Sequence, residues 1–168
     1  MSVYGRKLVF CGDARNNVGN SLMVASAKLG VNFTCCAPKD LWPDEELTKK
    51  CEEIARENGS TIQRTEDIME GTKDADAIYT DVWVSMGEPM EKWAERINYL
   101  RKYQVNQSII DNAKDDCIFL HCLPRYILFL RIHHNKQLCH DHLYKRANQI
   151  HFLLNLLVVF VLSFFLVP

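Results

Sequence analysis

"RKLVFCGDARNNVGNSLMVASAKLG", residues 6–30, decides the fold. Its first part is a short apolar run, Leu8 to Cys11, that stops at Gly12. A run that brief, closed by glycine, predicts a buried strand. From Asn20 onward the composition turns helical and ends at Gly30, the residue type that most readily takes the left-handed conformation closing a helix. Strand, polar loop and helix in succession form the unit from which parallel sheets are built.

The alternation continues. "VNFTCCA" (31–37) is β-rich and bounded by Pro38. In "PDEELTKKCEEIARENG" (43–59), Leu47, Cys51, Ile54 and Ala55 recur at helical spacing, acids crowd the first turn, and Gly59 closes the segment. "TIQRT" (61–65) predicts a short strand, "EDIMEGTKDA" (66–75) a short helix and "DAIYTDV" (76–82) a strand. "MEKWAERINYLRKY" (90–103) sets Met90, Trp93, Ala94, Ile97 and Leu100 on one face, an amphipathic helix. "NQSIIDNA" (106–113) is a shorter helix and "CIFLHC" (117–122) the last strand. The expected fold class is α/β: a three-layer, Rossmann-like parallel sheet with helices on both faces.

In such sheets ligands bind beyond the carboxyl ends of the strands. Three polar clusters fall there: Gly12 to Asn17 after the first strand, Asp81 with "VWVSMGEP" after "DAIYT", and His121–Cys122 after "CIFL". The first cluster is no dinucleotide loop, because Gly12 and Gly19 are too far apart for the close glycine spacing a pyrophosphate needs. An asparagine-rich turn capping the next helix is one reading; carboxamides that hold a small zwitterion are the other. Asp81 is a turn former or the partner of a substrate ammonium, with the Ser85 hydroxyl close in sequence and backbone N–H groups of the Gly-Glu-Pro turn suited to a carboxylate. Cys11, Cys35, Cys36, Cys51 and Cys117 read as core thiols. Cys122 differs in standing at a strand exit beside His121. Neighbours on a strand point to opposite sides, so His121 is poorly placed as a base for Cys122, and a polar contact suits the pair better than covalent catalysis.

Composition sets the limits. The chain has 168 residues and a net charge of −1, which gives no case for a nucleic-acid partner. It has seven cysteines but no C-x-x-C, and no charged start followed by an apolar stretch. Reduced thiols and a cytoplasmic location are therefore expected. "HHNKQLCHDH" (133–142) holds histidines and a cysteine in a spacing that matches no standard zinc site, so no metal is expected.

The averages conceal a seam at Pro124. Residues 1–124 hold 15 Lys and Arg against 20 acids, a charge of −5; residues 125–168 hold 5 against one, a charge of +4. All seven glycines precede the seam and five of six histidines follow it. The tail is expected to stand apart from the domain of residues 1–124. Within it "FLLNLLVVFVLSFFLV" (152–167) predicts an apolar helix. That run is 16 residues, short of the roughly 20 that cross a bilayer, and it leaves a tail-anchored membrane protein as one alternative.

With the clusters in order, "GDARNNVGNSL", "DVWVSMGEP", "MEKWAERINYLRKYQVN" and "FLHCLP" resemble the second, ornithine-binding domain of the ornithine carbamoyltransferase family, over about residues 5–124. The resemblance implies the aspartate/ornithine carbamoyltransferase fold. The implied reaction joins carbamoyl phosphate to the δ-amino group of ornithine, giving citrulline and phosphate without a cofactor. It implies that Asn17 and the Met86 backbone meet the ornithine carboxylate, and that Asp81 and Ser85 hold the α-ammonium. Cys122 would sit near the attacking nitrogen, Cys122 and Leu123 near the carbamoyl group, and His121 on the carbamoyl oxygen. The family's Ser-Thr-Arg-Thr and His-Pro-x-x-Gln motifs, which belong to its first domain, do not occur here. Carbamoyl phosphate is thus a partner only where a first domain is supplied, and the expectation is an amino-acid-binding half that is inactive alone. An ornithine-binding fragment without catalysis is the other alternative.

Overall fold

The computed structural model describes residues 2–83 and 90–121, leaving out the side chains of residues 90–93. Ser85, Met86, Cys122, Leu123 and the tail with its expected apolar helix lie outside the described residues. Five strands form one parallel sheet: β1 (Lys7–Cys11), β2 (Asn32–Cys36), β3 (Ile62–Thr65), β4 (Ala77–Thr80) and β5 (Ile118–His121). Helices α1 (Asn17–Leu29), α2 (Glu45–Glu57) and α3 (Ile68–Thr72) connect the first four strands; α4 (Met90–Leu100) and α5 (Gln107–Asn112) lie between β4 and β5.

Short polar residues start the helices. Asn16, Asp44, Asp67 and Asn106 each accept bonds from the first turn of the helix they precede, satisfying N–H groups with no intrahelical partner. Gly30, at φ +68°, closes α1 in the left-handed conformation. The central strands are buried on both faces: Leu8, Val9, Phe10 and Cys11 of β1 are fully buried, as are Cys35 and Cys36 of β2. A sheet buried on both sides needs such continuous runs rather than alternation.

The strand order is β3-β2-β1-β4-β5. The chain winds outward from β1 to β3, then returns across the sheet to β4 and β5. Right-handed crossovers in opposite directions put α1 and α2 on one face and α3 and α5 on the other. The packing agrees, α1 against α2 and α3 against α5. α3 lies close to the sheet: a Cβ on Gly71 would come 2.0 Å from Cys36 Sγ. The gap between β1 and β4 is therefore the point where strand order reverses, and the crevice beyond it is where such sheets bind ligands.

Along the expected apolar face of α4, Ala94 is exposed, Ile97 half-buried and Leu100 fully buried. The described part of α4 buries its last turn, where it meets the 3-10 turn Arg101–Tyr103.

Candidate functional site

The ends of β1 and β4 are laced together at the reversal point. Cys11, Thr80 and His121 lie side by side in register across β1, β4 and β5. The Thr80 hydroxyl donates to the Cys11 carbonyl at 2.8 Å. Beyond Cys11, Gly12 takes φ +126° and packs so closely on Trp83 that a Cβ would stand 3.1 Å from the indole nitrogen. A side chain there would meet both a disfavoured backbone region and the ring. The loop is held to β2 and the turn after it as well, by Gly12 N–H on the Cys36 carbonyl at 3.1 Å and Ala14 N–H on the Leu41 carbonyl at 3.2 Å.

Two side-chain pairs then join the loop after β1 to the chain after β4. Asn16 donates through Nδ2 to Asp81 Oδ2 at 3.2 Å, while its Oδ1 accepts from Gly19 N–H at 2.7 Å. Arg96 of α4 donates to Asp13 Oδ2 at 2.6 Å; Asp13 Oδ1 accepts the Arg15 N–H at 3.1 Å. The Arg15 side chain lies 3.6 Å from the same carboxylate and is half exposed. Next to this ion pair opens a cleft of 510 Å³ lined by Arg15, Asp40, Leu41, Glu95, Arg96 and Tyr99. Of its lining residues, Arg96 is paired with Asp13, and Asp40 accepts from the Tyr99 hydroxyl. Asp40, with some burial of the ring, pushes the Tyr99 phenol up to about 12.

The residues marked in the sequence fall as follows. Asn17 is the exposed first residue of α1, next to Asn16. Asp81 follows β4 directly and accepts the Val82 N–H at 2.6 Å in addition to Asn16. His121 is the last residue of β5, half-buried. These three share the carboxyl edge of the sheet. The five described cysteines are buried free thiols. Burial pushes Cys51 to about 11 and Cys117 to about 12, which removes them as nucleophiles at neutral pH. Among the described residues no group of three or more metal-ligating side chains occurs.

The asparagine-rich turn expected to cap the next helix does so through Asn16; its tie to Asp81 and the Asp13–Arg96 pair were not read from sequence. For the Asp13–Arg96 pair no local signal exists, because 83 residues separate them.

The family model described as "Aspartate/ornithine carbamoyltransferase, Asp/Orn binding domain" matches residues 4–128. The catabolic ornithine carbamoyltransferase of Treponema denticola is 53% identical over 122 residues, which is 73% of this chain and 36% of that protein. Among solved structures, ornithine carbamoyltransferase from Pyrococcus furiosus aligns with a TM-score of 0.69 and 42% identity over 74% of this chain and 39% of its own. The anabolic ornithine carbamoyltransferase from Campylobacter jejuni aligns with a TM-score of 0.74 and 27% identity over 98% of this chain and 52% of its own. The chain therefore spans little more than a third of the length of the curated relative. Sheet order, the laced β1 and β4 ends and the family match agree: the chain belongs to the aspartate/ornithine carbamoyltransferase family, through its Asp/Orn binding domain.

Proposed function

We propose that this domain is the amino-acid-binding half of an ornithine carbamoyltransferase, which transfers the carbamoyl group of carbamoyl phosphate to the δ-nitrogen of ornithine. The observation that carries the reading is Asp81. It is a carboxylate fixed at the point where strand order reverses, in a chain that over 122 residues is 53% identical to a catabolic ornithine carbamoyltransferase. A carboxylate there suits the α-ammonium of an amino acid. Asn17, at the start of α1, lies at the same edge and would meet the α-carboxylate. The roles of Ser85, Met86, Cys122 and Leu123 follow the resemblance: Ser85 with Asp81 on the ammonium, the Met86 backbone on the carboxylate, Cys122 beside the attacking nitrogen, and Cys122 with Leu123 at the carbamoyl group. His121, ending β5, would donate to the carbamoyl oxygen as negative charge develops there.

The chemistry asked of these residues is orientation. A neutral amine must face the carbonyl carbon while both substrates are held, and such positioning lowers barriers by roughly 7 to 11 kcal/mol. A phosphate needs several N–H donors and an arginine fork. Arg15 alone, half exposed and beside Asp13, makes a weak phosphate site. The 168-residue chain by itself therefore makes no citrulline.

The test supplies the purified chain with saturating ornithine and carbamoyl phosphate and measures citrulline. The expected rate is that of the uncatalysed mixture. A rate within tenfold of a full-length relative, abolished by Cys122→Ala, would mean that these 168 residues grip carbamoyl phosphate themselves.

A further inference from the structure

We propose that Asn16 is a positioning residue: it fixes the Asp81 carboxylate at the β1–β4 crevice in the orientation that receives the substrate ammonium. The ammonium role of Asp81 rests on the function proposed above; the tie between the two side chains does not.

The two ends of the Asn16 amide have different partners. Asn16 Oδ1 accepts the Gly19 N–H at 2.7 Å and so caps α1. That bond assigns the oxygen end of the amide, because an N–H can only donate. The NH2 end is then turned away from the helix and needs an acceptor, which it finds 65 residues later in Asp81 Oδ2 at 3.2 Å. The other carboxylate oxygen accepts Val82 N–H at 2.6 Å. With a donor on each oxygen, the plane of the carboxylate is set by the protein.

The choice of residue type supports this. Serine and aspartate cap helices as well as asparagine does. Only asparagine among the three both accepts the helix N–H and donates a second bond to a carboxylate from the same planar group. Aspartate would place a like charge against Asp81, and the serine hydroxyl is too short to serve both. A rigid setting completes the device: the Thr80 bond to the Cys11 carbonyl and the contact of Gly12 with Trp83 hold the two backbones that the amide bridges.

The experiment uses the 168-residue chain with Asn16→Ser, which keeps the cap, and Asp81→Ala, singly and together. In the thermal cycle, Asn16→Ser lowers Tm by several degrees in the wild-type background and leaves it unchanged in the Asp81→Ala background. In NMR titrations, Asn16→Ser weakens ornithine about tenfold or more, as the loss of one bond to a charged group implies. It leaves 5-aminopentanoate, which has the carboxylate and terminal amine but no α-ammonium, unchanged. Asn16→Asp, also a good cap, weakens ornithine at least as much. Tm losses that simply add would overturn the tie. Equal weakening of both ligands would overturn the positioning role. Failure of the wild-type chain to take up ornithine would overturn the ammonium role and the proposed function with it, while the thermal cycle still decides the tie.

Discussion

Arg6 donates to Asp76 at 2.7 Å, and this pair lies at the edge of the sheet opposite the crevice. Lys114 reaches the same Asp76 oxygen at 2.9 Å, and Lys7 N–H donates to the other oxygen at 2.8 Å. One carboxylate, 7% exposed, thus joins the segments that enter β1, β4 and β5. Burial alone would raise its pKa. Bonds from Arg6, Lys7 N–H and Lys114 outweigh that and hold the carboxyl below the ordinary carboxylate range. A folded-state pKa below the unfolded one gives stability that is complete above the unfolded value, about 3.9, and is lost as pH falls through the folded value. Asp76→Asn should cost about 2 kcal/mol at pH 7, a figure reduced because Arg6 and Lys114 are themselves partly exposed. Urea unfolding at pH 7 and across the acid range checks this: the variant should lose stability at neutral pH and show a shallower acid decline. An unchanged midpoint at pH 7 would remove Asp76 from the account of the sheet.

Gly71 tests how closely α3 lies on the sheet. In an exposed helix Gly→Ala stabilises by about 1 kcal/mol. Here a Cβ would stand 2.0 Å from Cys36 Sγ and 3.0 Å from the Thr65 methyl, so packing reverses the sign. Gly71→Ala should destabilise by about 1 to 3 kcal/mol. Much of that loss should return when Cys36→Ala is added, measured as Tm of the single and double variants. A Gly71→Ala chain as stable as the wild type would show that α3 has room to shift.

Tyr99 reports on the cleft. Its phenol, pushed up to about 12 by Asp40, should stay neutral through the range where an ordinary tyrosine ionises. Absorbance titration should show a late-ionising fraction, to which Tyr103, raised by its burial, also contributes; Asp40→Asn should bring the Tyr99 part of it down toward 10, the ordinary value. A titration unaltered by Asp40→Asn would separate the two residues in solution.

The tail offers a test by deletion. The charge reversal at Pro124 predicts that residues 1–124 fold without the rest. Removing residues 125–168 should raise solubility, because the run at 152–167 has only Asn155 and Ser163 as polar interruptions. Loss of the cooperative unfolding transition would show instead that the tail supplies core, in line with the alignment of the Campylobacter jejuni enzyme over 98% of the chain.

The described strands and helices were legible as local patterns: apolar runs such as those closed by Gly12 and Pro38, and helical stretches such as those ended by Gly30 and Gly59. α1 starts three residues before its helical composition does, since the Asn16 cap rather than hydrophobicity sets its first turn. Ala94 is exposed although it shares the apolar face of α4, because periodicity states which residues share a face, not whether anything covers that face. Strand order was not legible; it depends on contacts between segments far apart in sequence. The positions of Asp81, directly after β4, and of His121, the last residue of β5, at the carboxyl edge of the sheet were legible. The site's internal ties were not. Asn16 and Asp81, or Asp13 and Arg96, become neighbours only when the return across the sheet sets β4 beside β1.

The most direct measurement of the central claim is an NMR or calorimetric titration of the 168-residue chain with ornithine and, separately, with aspartate. The family description names both amino acids, while the high-identity relative is an ornithine enzyme. The account predicts saturable ornithine binding, on the order of millimolar in a site open to water. It also predicts a marked loss of that binding in Asp81→Ala and no saturation by aspartate. Aspartate binding as tight as ornithine's, or ornithine binding indifferent to Asp81→Ala, would contradict it.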